Sequence, residues 1–309
     1  MKKFLFGATA IAMLSMTSCN TDVDDTVATV AYATLNLVSP AEGESYITDA
    51  LYKFYFNQTK QVSSIAMDGL KINNTNYAFS TDTVKYTQYY VQTESGIGAY
   101  NEIKNATGYV NKDLSLPVRN LNCQVTSLYY WRFTNIPGVE NPVYSSSDPS
   151  MVIMQYDMGD DYNVKTVQPD AFYCGTTRTT ISGTSPYETT EMTYRLKINK
   201  GYKTADMIIY NAKFAEAMPL PLTAVVLKDL PIKFERGSYS IEATNVVPKI
   251  SEAGQLIDND KYTFDTFRMF FTNNELTGAD ISYKVAGRFE GEVTDASYVV
   301  KIKENGSDK

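Results

Sequence analysis

The chain lacks histidine entirely across its 309 residues. Histidine is the side chain most used for proton transfer and metal ligation near neutral pH. Its absence excludes Ser-His-Asp and Cys-His catalytic arrangements and zinc sites built on histidine. Glycosidases need only two carboxylates, and Glu191, Glu242 and Asp265 are candidates for that role. No diagnostic motif surrounds them, so we expect no enzymatic activity.

Positive charge is also scarce. The chain has 28 Lys and Arg against 35 Asp and Glu, a net charge of −7 and a pI near 4.9. No cluster of basic residues stands out against this background. Because neutralising phosphates requires a basic face, we expect no nucleic-acid partner.

Cysteine occurs at only three positions, Cys19, Cys123 and Cys174. They form no CxxC pair and no metal-ligand spacing, so we expect neither a metal nor another cofactor. A bridge between Cys123 and Cys174 would close a loop of about 50 residues, worth about 4 kcal/mol in the chain-entropy model. The alternative, which we favour, is two buried thiols in different domains.

A long apolar run is present only near the N-terminus, at residues 4–13 after Lys2 and Lys3. It is too short to span a bilayer, which needs about 20 apolar residues, and has the layout of a secretory signal peptide. The following Met16-Thr17-Ser18-Cys19 resembles the lipobox of bacterial lipoproteins. That resemblance implies a signal peptide at 1–18, cleavage before Cys19 and a membrane anchor of several acyl chains on this cysteine.

Acidic residues follow directly, in Asn20-Thr21-Asp22-Val23-Asp24-Asp25. This segment resembles the surface-export signal of Bacteroidota lipoproteins; the alternative is a solvated tether. We expect a lipidated acidic tether over 19–32 and an outer-membrane lipoprotein, facing the cell surface rather than the periplasm.

The rest of the chain predicts an all-β fold. It has 24 Tyr and 14 Phe, residues that suit pleated, half-buried surfaces. We predict domains at 33–156 and 171–305, joined by a linker at 157–170, with a long loop at 94–114. Calcium binding by Asp157, Asp160 and Asp161 is an alternative role for the linker. They lack ordered ligand spacing, so we expect solvated linker charge.

Two short segments indicate the fold of the first domain. Leu128-Tyr129-Tyr130-Trp131-Arg132-Phe133 resembles the F strand of fibronectin type III and related immunoglobulin-like domains. Leu37-Val38-Ser39-Pro40-Ala41-Glu42-Gly43 resembles the first strand and bend of such domains. The resemblance implies a β-sandwich, with Tyr129 as the corner tyrosine, Trp131 and Phe133 on the inner face, and Cys123 at a core position. The alternative is a generic aromatic strand.

The second domain contains eight strand candidates that alternate apolar and polar residues, at 171–181, 192–199, 205–214, 222–227, 238–244, 262–271, 279–289 and 297–303. Eight strands in a meander suit an up-and-down barrel. The run at 210–219, and Gly237-Ser238-Tyr239-Ser240-Ile241 followed by Pro248, resemble calycin-like (lipocalin-like) barrel domains of Bacteroidota lipoproteins. The resemblance implies a fold rather than a function, and a second β-sandwich is the alternative.

Three functions fit these features. The first is a non-enzymatic ligand-binding or accessory lipoprotein that takes a small hydrophobic or carbohydrate ligand in the barrel. The candidate lining residues are Met192, Tyr194, Leu196, Tyr283 and Phe289, and the alternative for them is packed core. The second is a structural or adhesive, fimbria-like subunit, although no Lys or Arg lies between Cys19 and Lys53 for processing. The third is a histidine-free glycosidase.

Overall fold

The chain is almost entirely β-structure. The structure, a computed structural model, describes residues 27–93, 96–126, 151–235, 237–252, 255–271 and 278–297. Within those ranges the one helical element is the 3-10 turn Asp260–Tyr262. The chain divides into two compact units, which meet in sequence between Val167 and Gln168. The all-β prediction is therefore confirmed.

The first unit contains nine strands: β1 Val27–Pro40, β2 Tyr46–Asn57, β3 Val62–Ile72, β4 Thr75–Thr81, β5 Val84–Thr93, β6 Gly96–Val110, β7 Pro117–Thr126, β8 Met151–Met158 and β9 Tyr162–Val167. Each strand pairs with the next along the chain, except that β4 and β5 together occupy one place between β3 and β6. β1 pairs antiparallel with β9, with Val38 opposite Val164. This pairing closes an eight-stranded up-and-down barrel.

The β-sandwich prediction for this unit is wrong, because its strands form one continuous sheet that closes on itself rather than two stacked sheets. Alternation along β2 shows how the barrel is filled. Tyr52, Phe54 and Phe56 are buried, whereas Leu51 and Lys53, which point to the other face, are exposed. One face of each strand therefore supplies the core. The fibronectin-type segment with Tyr129, Trp131 and Phe133 lies outside the described residues.

Three predicted non-strand segments are strands of this barrel. Residues 27–32 of the predicted tether belong to β1, the predicted loop at 94–114 contains β6, and the predicted linker at 157–170 contains the end of β8 and all of β9. The period of β6 is obscured by a register shift between Ile103 and Ala106, where Asn105 has φ of 52°. Such bulges interrupt the alternation that a sequence pattern relies on.

The second unit contains β10 Asp170–Thr180, β11 Tyr187–Thr189, β12 Thr193–Ile198, β13 Thr204–Ala212, β14 Leu222–Glu235, β15 Ser238–Val246, β16 Lys249–Glu252, β17 Gln255–Asp258, β18 Phe264–Phe271, β19 Ala279–Val285 and β20 Phe289–Ser297. Eight of them, β10, β12, β13, β14, β15, β18, β19 and β20, form a closed antiparallel meander. β10 closes it against β20, with Thr177 opposite Val293. The predicted eight-stranded barrel is confirmed over the alternative sandwich.

The last two strands of this barrel differ from prediction. The predicted strand at 279–289 is two elements, because Ala286 and Gly287 have φ of 52° and 70° and turn the chain between β19 and β20. A two-residue turn with positive φ suits the twist of a hairpin. The eighth strand is Phe289–Ser297. Of the strand predicted at 297–303, only Ser297 is among the described residues.

Candidate functional site

The interior of the second barrel contains all the side chains predicted to line a ligand site. Met192, Tyr194 and Leu196 come from β12 and the residue before it, Tyr283 from β19 and Phe289 from β20. All are buried, and Met192, Tyr194 and Leu196 have no exposed surface. Their packing against neighbours corresponds to the core alternative, so the strands themselves present a filled interior.

A group of hydroxyls lies within this apolar interior. Thr177 Oγ1 and Tyr194 Oη are 3.0 Å apart, and Tyr194 Oη lies 4.0 Å from Met192 Sδ. Burial raises the pKa of Tyr194 well above its ordinary value, with the neighbouring Tyr283 adding to the shift. The phenol is therefore a neutral hydrogen-bonding group throughout the physiological range.

Two further hydroxyls of this group, those of Tyr283 and Thr179, lack a hydrogen-bond partner. Gly291 on β20 pairs with Thr179 on β10 at one edge of that strand and with Tyr283 on β19 at the other. The Tyr283 and Thr179 hydroxyls are buried without a hydrogen-bond partner. Burial raises the pKa of Tyr283, and the nearby hydroxyls of Tyr194 and Thr179 offset part of that rise. Neither neighbour reaches Tyr283 with ordinary hydrogen-bond geometry, so both orphan hydroxyls have bonding capacity to spare.

An aromatic cage closes one end of the same barrel. Its central ring is Phe214, which follows the end of β13 and has no exposed surface. Its ring centroid lies 6.1 Å from Tyr262, 6.2 Å from Phe264, 5.8 Å from Tyr283 and 6.1 Å from Phe289. Edge-to-face and tilted rings at these distances attract one another beyond their area burial.

Sequence reasoning missed Phe214, Thr177 and Thr179 as site residues. The two threonines flank the exposed Arg178 in a predicted strand. Alternation therefore indicated that they face the interior, although their polarity favoured a surface position. Phe214 lies at the end of a predicted strand, in a segment at 212–219 that contains three alanines and ends at Pro219. Its burial depends on the path of the connection after β13, which no periodicity reveals.

The first barrel has a differently organised polar interior. Tyr52 donates to Asn36 Oδ1 at 2.7 Å and lies 2.9 Å from Tyr156 Oη, so its hydroxyl is fully engaged. Unpartnered buried atoms also occur here, at Ser63 and Asn101. They belong to β3 and β6, which β4 and β5 separate, so they do not form one cluster.

The carboxylates considered for glycosidase chemistry are not assembled into a site. Glu242 on β15 pairs with Lys233, whose hydrogen bond holds the pKa of Glu242 below its usual value. A general acid needs the opposite shift. Asp265 accepts the Gly287 N–H at 2.7 Å, and Glu191 lies in the connection between β11 and β12.

Two of the three aspartates considered for calcium binding, Asp157 and Asp160, already have donors on their carboxylate oxygens. Asp157 accepts from Asn120 at 2.8 Å and from Asn163 at 2.7 Å, and Asp160 pairs with Arg119 at 3.3 Å. Across the described ranges, no group of three or more Asp, Glu or Cys side chains is placed to hold a metal ion.

Cys123 and Cys174 are free thiols rather than a disulfide, as predicted. Cys123 is buried inside the first barrel, where burial raises the pKa of the thiol. Cys174 was predicted to be buried but is only half-buried; it lies in the second unit, with its Sγ 3.8 Å from Thr193 Oγ1. The predicted lipid-attachment residue, Cys19, lies outside the described residues.

In the part of the chain that the structure describes, no helix is long and apolar enough to cross a membrane. Comparison of the chain with protein-family models, curated proteins and solved structures gave no match.

Proposed function

We propose that the chain is a membrane-anchored, non-enzymatic lipoprotein that binds a small ligand in its second barrel. The anchor would be the acylated Cys19, and the location the outer membrane, facing the cell surface. Support for both comes from the signal-peptide layout, the lipobox resemblance and the acidic segment behind it. The acidic segment also supports a Bacteroidota lipoprotein, and the resemblance carried by residues 210–219 and 237–248 supports a calycin-like barrel.

The observation that carries the binding role is the pair of orphan hydroxyls, Thr179 and Tyr283, inside an aromatic barrel. Leaving a buried hydroxyl unbonded costs about 1–3 kcal/mol. Native proteins seldom keep such groups without a use for them. A ligand that bonds to them would recover that cost, and the aromatic walls favour a small hydrophobic or carbohydrate ring.

The non-enzymatic role is supported by the missing histidine and by the lowered pKa of Glu242. Ligand binding and release require neither proton transfer nor a nucleophile. The first barrel would then act as an accessory unit of the anchored protein.

A melting screen of the soluble chain from Asn20 to Lys309 tests the binding role. The panel contains host and plant oligosaccharides, fatty acids, bile acids and porphyrins. A ligand at a hundred times its dissociation constant stabilises the fold by about 2.7 kcal/mol, which raises the melting temperature visibly. No shift with any class would overturn the proposal.

The anchor is tested separately by growing cells with labelled palmitate. The wild-type chain should incorporate label and sediment with membranes, and Cys19→Ala should do neither. Equal labelling of both would disprove attachment at Cys19.

A further inference from the structure

The Phe214 ring packs in the interior of the second barrel, although the residue belongs to a connection and not to a strand. β13 ends at Ala212, and the next strand, β14, begins at Leu222. Phe214 therefore belongs to the connection at 213–221, yet its ring is completely buried among rings carried by β18, β19 and β20 and by the turn Asp260–Tyr262. The cage around Phe214 is defined by Tyr262, Phe264, Tyr283 and Phe289.

The connection that carries Phe214 is held mainly by local contacts. The Phe214 N–H points to Met218 Sδ at 3.2 Å, and the Met218 N–H donates to Ala215 O at 3.1 Å. Lys213 Nζ lies 5.4 Å from the centre of the Tyr187 ring. Segments with few ladder hydrogen bonds open at lower free energy than the strands they connect.

The connection also exposes a large apolar side chain. Leu220, between Pro219 and Pro221, has 76% of its surface exposed. The connection thus buries one large apolar ring and leaves another apolar side chain in solvent. Phe214 and Ala215 are the buried residues of 213–221, and Phe214 carries much the larger apolar side chain.

We propose that Phe214 is a displaceable plug, and that the cage it fills is the binding site for a flat, uncharged aromatic ring carrying a hydroxyl group. This inference rests on the proposed function and names the ligand class of that site. The four cage residues are aromatic and would pack on such a ring as they pack on Phe214. The Tyr283 hydroxyl, on a ring of the cage itself, offers the missing hydrogen bond to the ligand hydroxyl.

The need to displace Phe214 weakens the apparent affinity for the ligand. A ligand that must displace Phe214 binds only the fraction of molecules in which the connection is open, so its apparent dissociation constant is larger than the intrinsic one. Removing the Phe214 ring should tighten binding, and removing the Tyr283 hydroxyl should abolish the preference for a hydroxyl-bearing ring.

The experiment uses the chain from Asn20 to Lys309 and 4-methylphenol as probe, with toluene and cyclohexanol as comparison compounds, by calorimetry and saturation-transfer NMR. We expect the wild type to prefer 4-methylphenol over both comparison compounds. Phe214→Ala should bind it at least tenfold more tightly. Tyr283→Phe should bind 4-methylphenol and toluene equally.

The matched control is Phe54→Ala, which removes a buried ring from the first barrel. Equal binding to Phe54→Ala and Phe214→Ala, with none to the wild type, would mean that only an engineered cavity binds and would overturn the plug. A retained 4-methylphenol preference in Tyr283→Phe would overturn the role of that hydroxyl. If Phe214→Ala does not fold, comparing the wild type with Tyr283→Phe still decides the matter.

Failure of this inference is distinguishable from failure of the proposed function. If a ligand of another class stabilises the chain in the melting screen and 4-methylphenol does not bind, the proposal that Phe214 is a plug is wrong and the proposed binding role stands.

Discussion

The ring of Tyr283 occupies the space beside Gly291 on the neighbouring strand that a β-carbon would need. A β-carbon placed on Gly291 would lie 2.2 Å from Tyr283 Cζ and 2.6 Å from its hydroxyl oxygen. The two residues are directly paired across β19 and β20. The glycine is thus required by the position of the tyrosine ring rather than by its own backbone conformation.

Gly291→Ala should therefore destabilise the second barrel. Forcing a methyl group into a packed interior costs about 1–3 kcal/mol, measured by urea unfolding. In the background of Tyr283→Ala the same change should cost much less, because the clash is gone. Thr180→Ala, at an exposed position on β10, is the control. Equal costs of Gly291→Ala in the two backgrounds would contradict the contact.

The hydroxyl of Tyr52 should be important to the first barrel. Tyr52→Phe removes a hydrogen bond to Asn36 and a contact with Tyr156, all three residues being buried. An orphaned buried acceptor costs about 1–3 kcal/mol, so the unfolding free energy should fall by that amount. Tyr55→Phe on the outward face of the same strand should change it little. Similar effects of both variants would argue against the network.

The second unit contains an ion pair between the buried Arg195 and Asp170, and the stability of the unit should depend on both residues. Arg195, with 1% of its side chain exposed, donates to the two carboxylate oxygens of Asp170 at 2.7 Å and 2.6 Å and to Tyr210 Oη at 3.2 Å. Asp170→Ala leaves a buried guanidinium without its carboxylate, which costs about 3 kcal/mol.

The matched control for Asp170→Ala is Glu188→Ala, which removes a partner of the exposed Arg178. An exposed pair is worth less than about 1 kcal/mol. Chemical denaturation of the two variants should rank them clearly, and a larger loss from Glu188→Ala would contradict the burial of Arg195.

Stability should decline at alkaline pH and stay level near neutrality. Burial raises the pKa of Cys123, Tyr52 and Tyr194, so the folded chain keeps protons that the unfolded chain loses above about pH 8.5 for thiols and about pH 10 for phenols. Because the native state then binds more protons, the free energy of unfolding falls as pH rises.

Between about pH 5.5 and 7.5 no histidine titrates, so urea unfolding should give a flat profile there. Cys123→Ala should lose part of the decline that begins near pH 8.5. A steep change around pH 6.5, or constant stability to pH 10.5, would refute this assignment.

The sequence predicted the second barrel better than the first for a physical reason. Around Tyr194, apolar and polar residues alternate without interruption along β12, and its pairing with β13 has no register shift. In the first barrel, β4 and β5 are one interrupted strand, and β6 carries register shifts near Asn105. The pairing of β1 with β9 joins the two ends of the unit, which no local pattern encodes.

The candidate site was predicted only in part. Tyr283 followed from alternation, because strand side chains on one face share an environment. Phe289 was also predicted, but the turn at Ala286 and Gly287 places it on the next strand. Phe214 enters the core from a connection, and the significance of Gly291 lies in a ring on another strand. Both depend on tertiary contacts rather than on sequence period.

Hydrogen exchange followed by mass spectrometry tests the central claim, ligand binding in the second barrel, most directly. The chain from Asn20 is compared with and without the compound that raises its melting temperature most. We predict slower exchange in peptides covering 213–221 and strands β18 to β20, with peptides from β1 to β9 unchanged. Protection confined to β1 to β9, or the absence of any stabilising compound, would contradict the account.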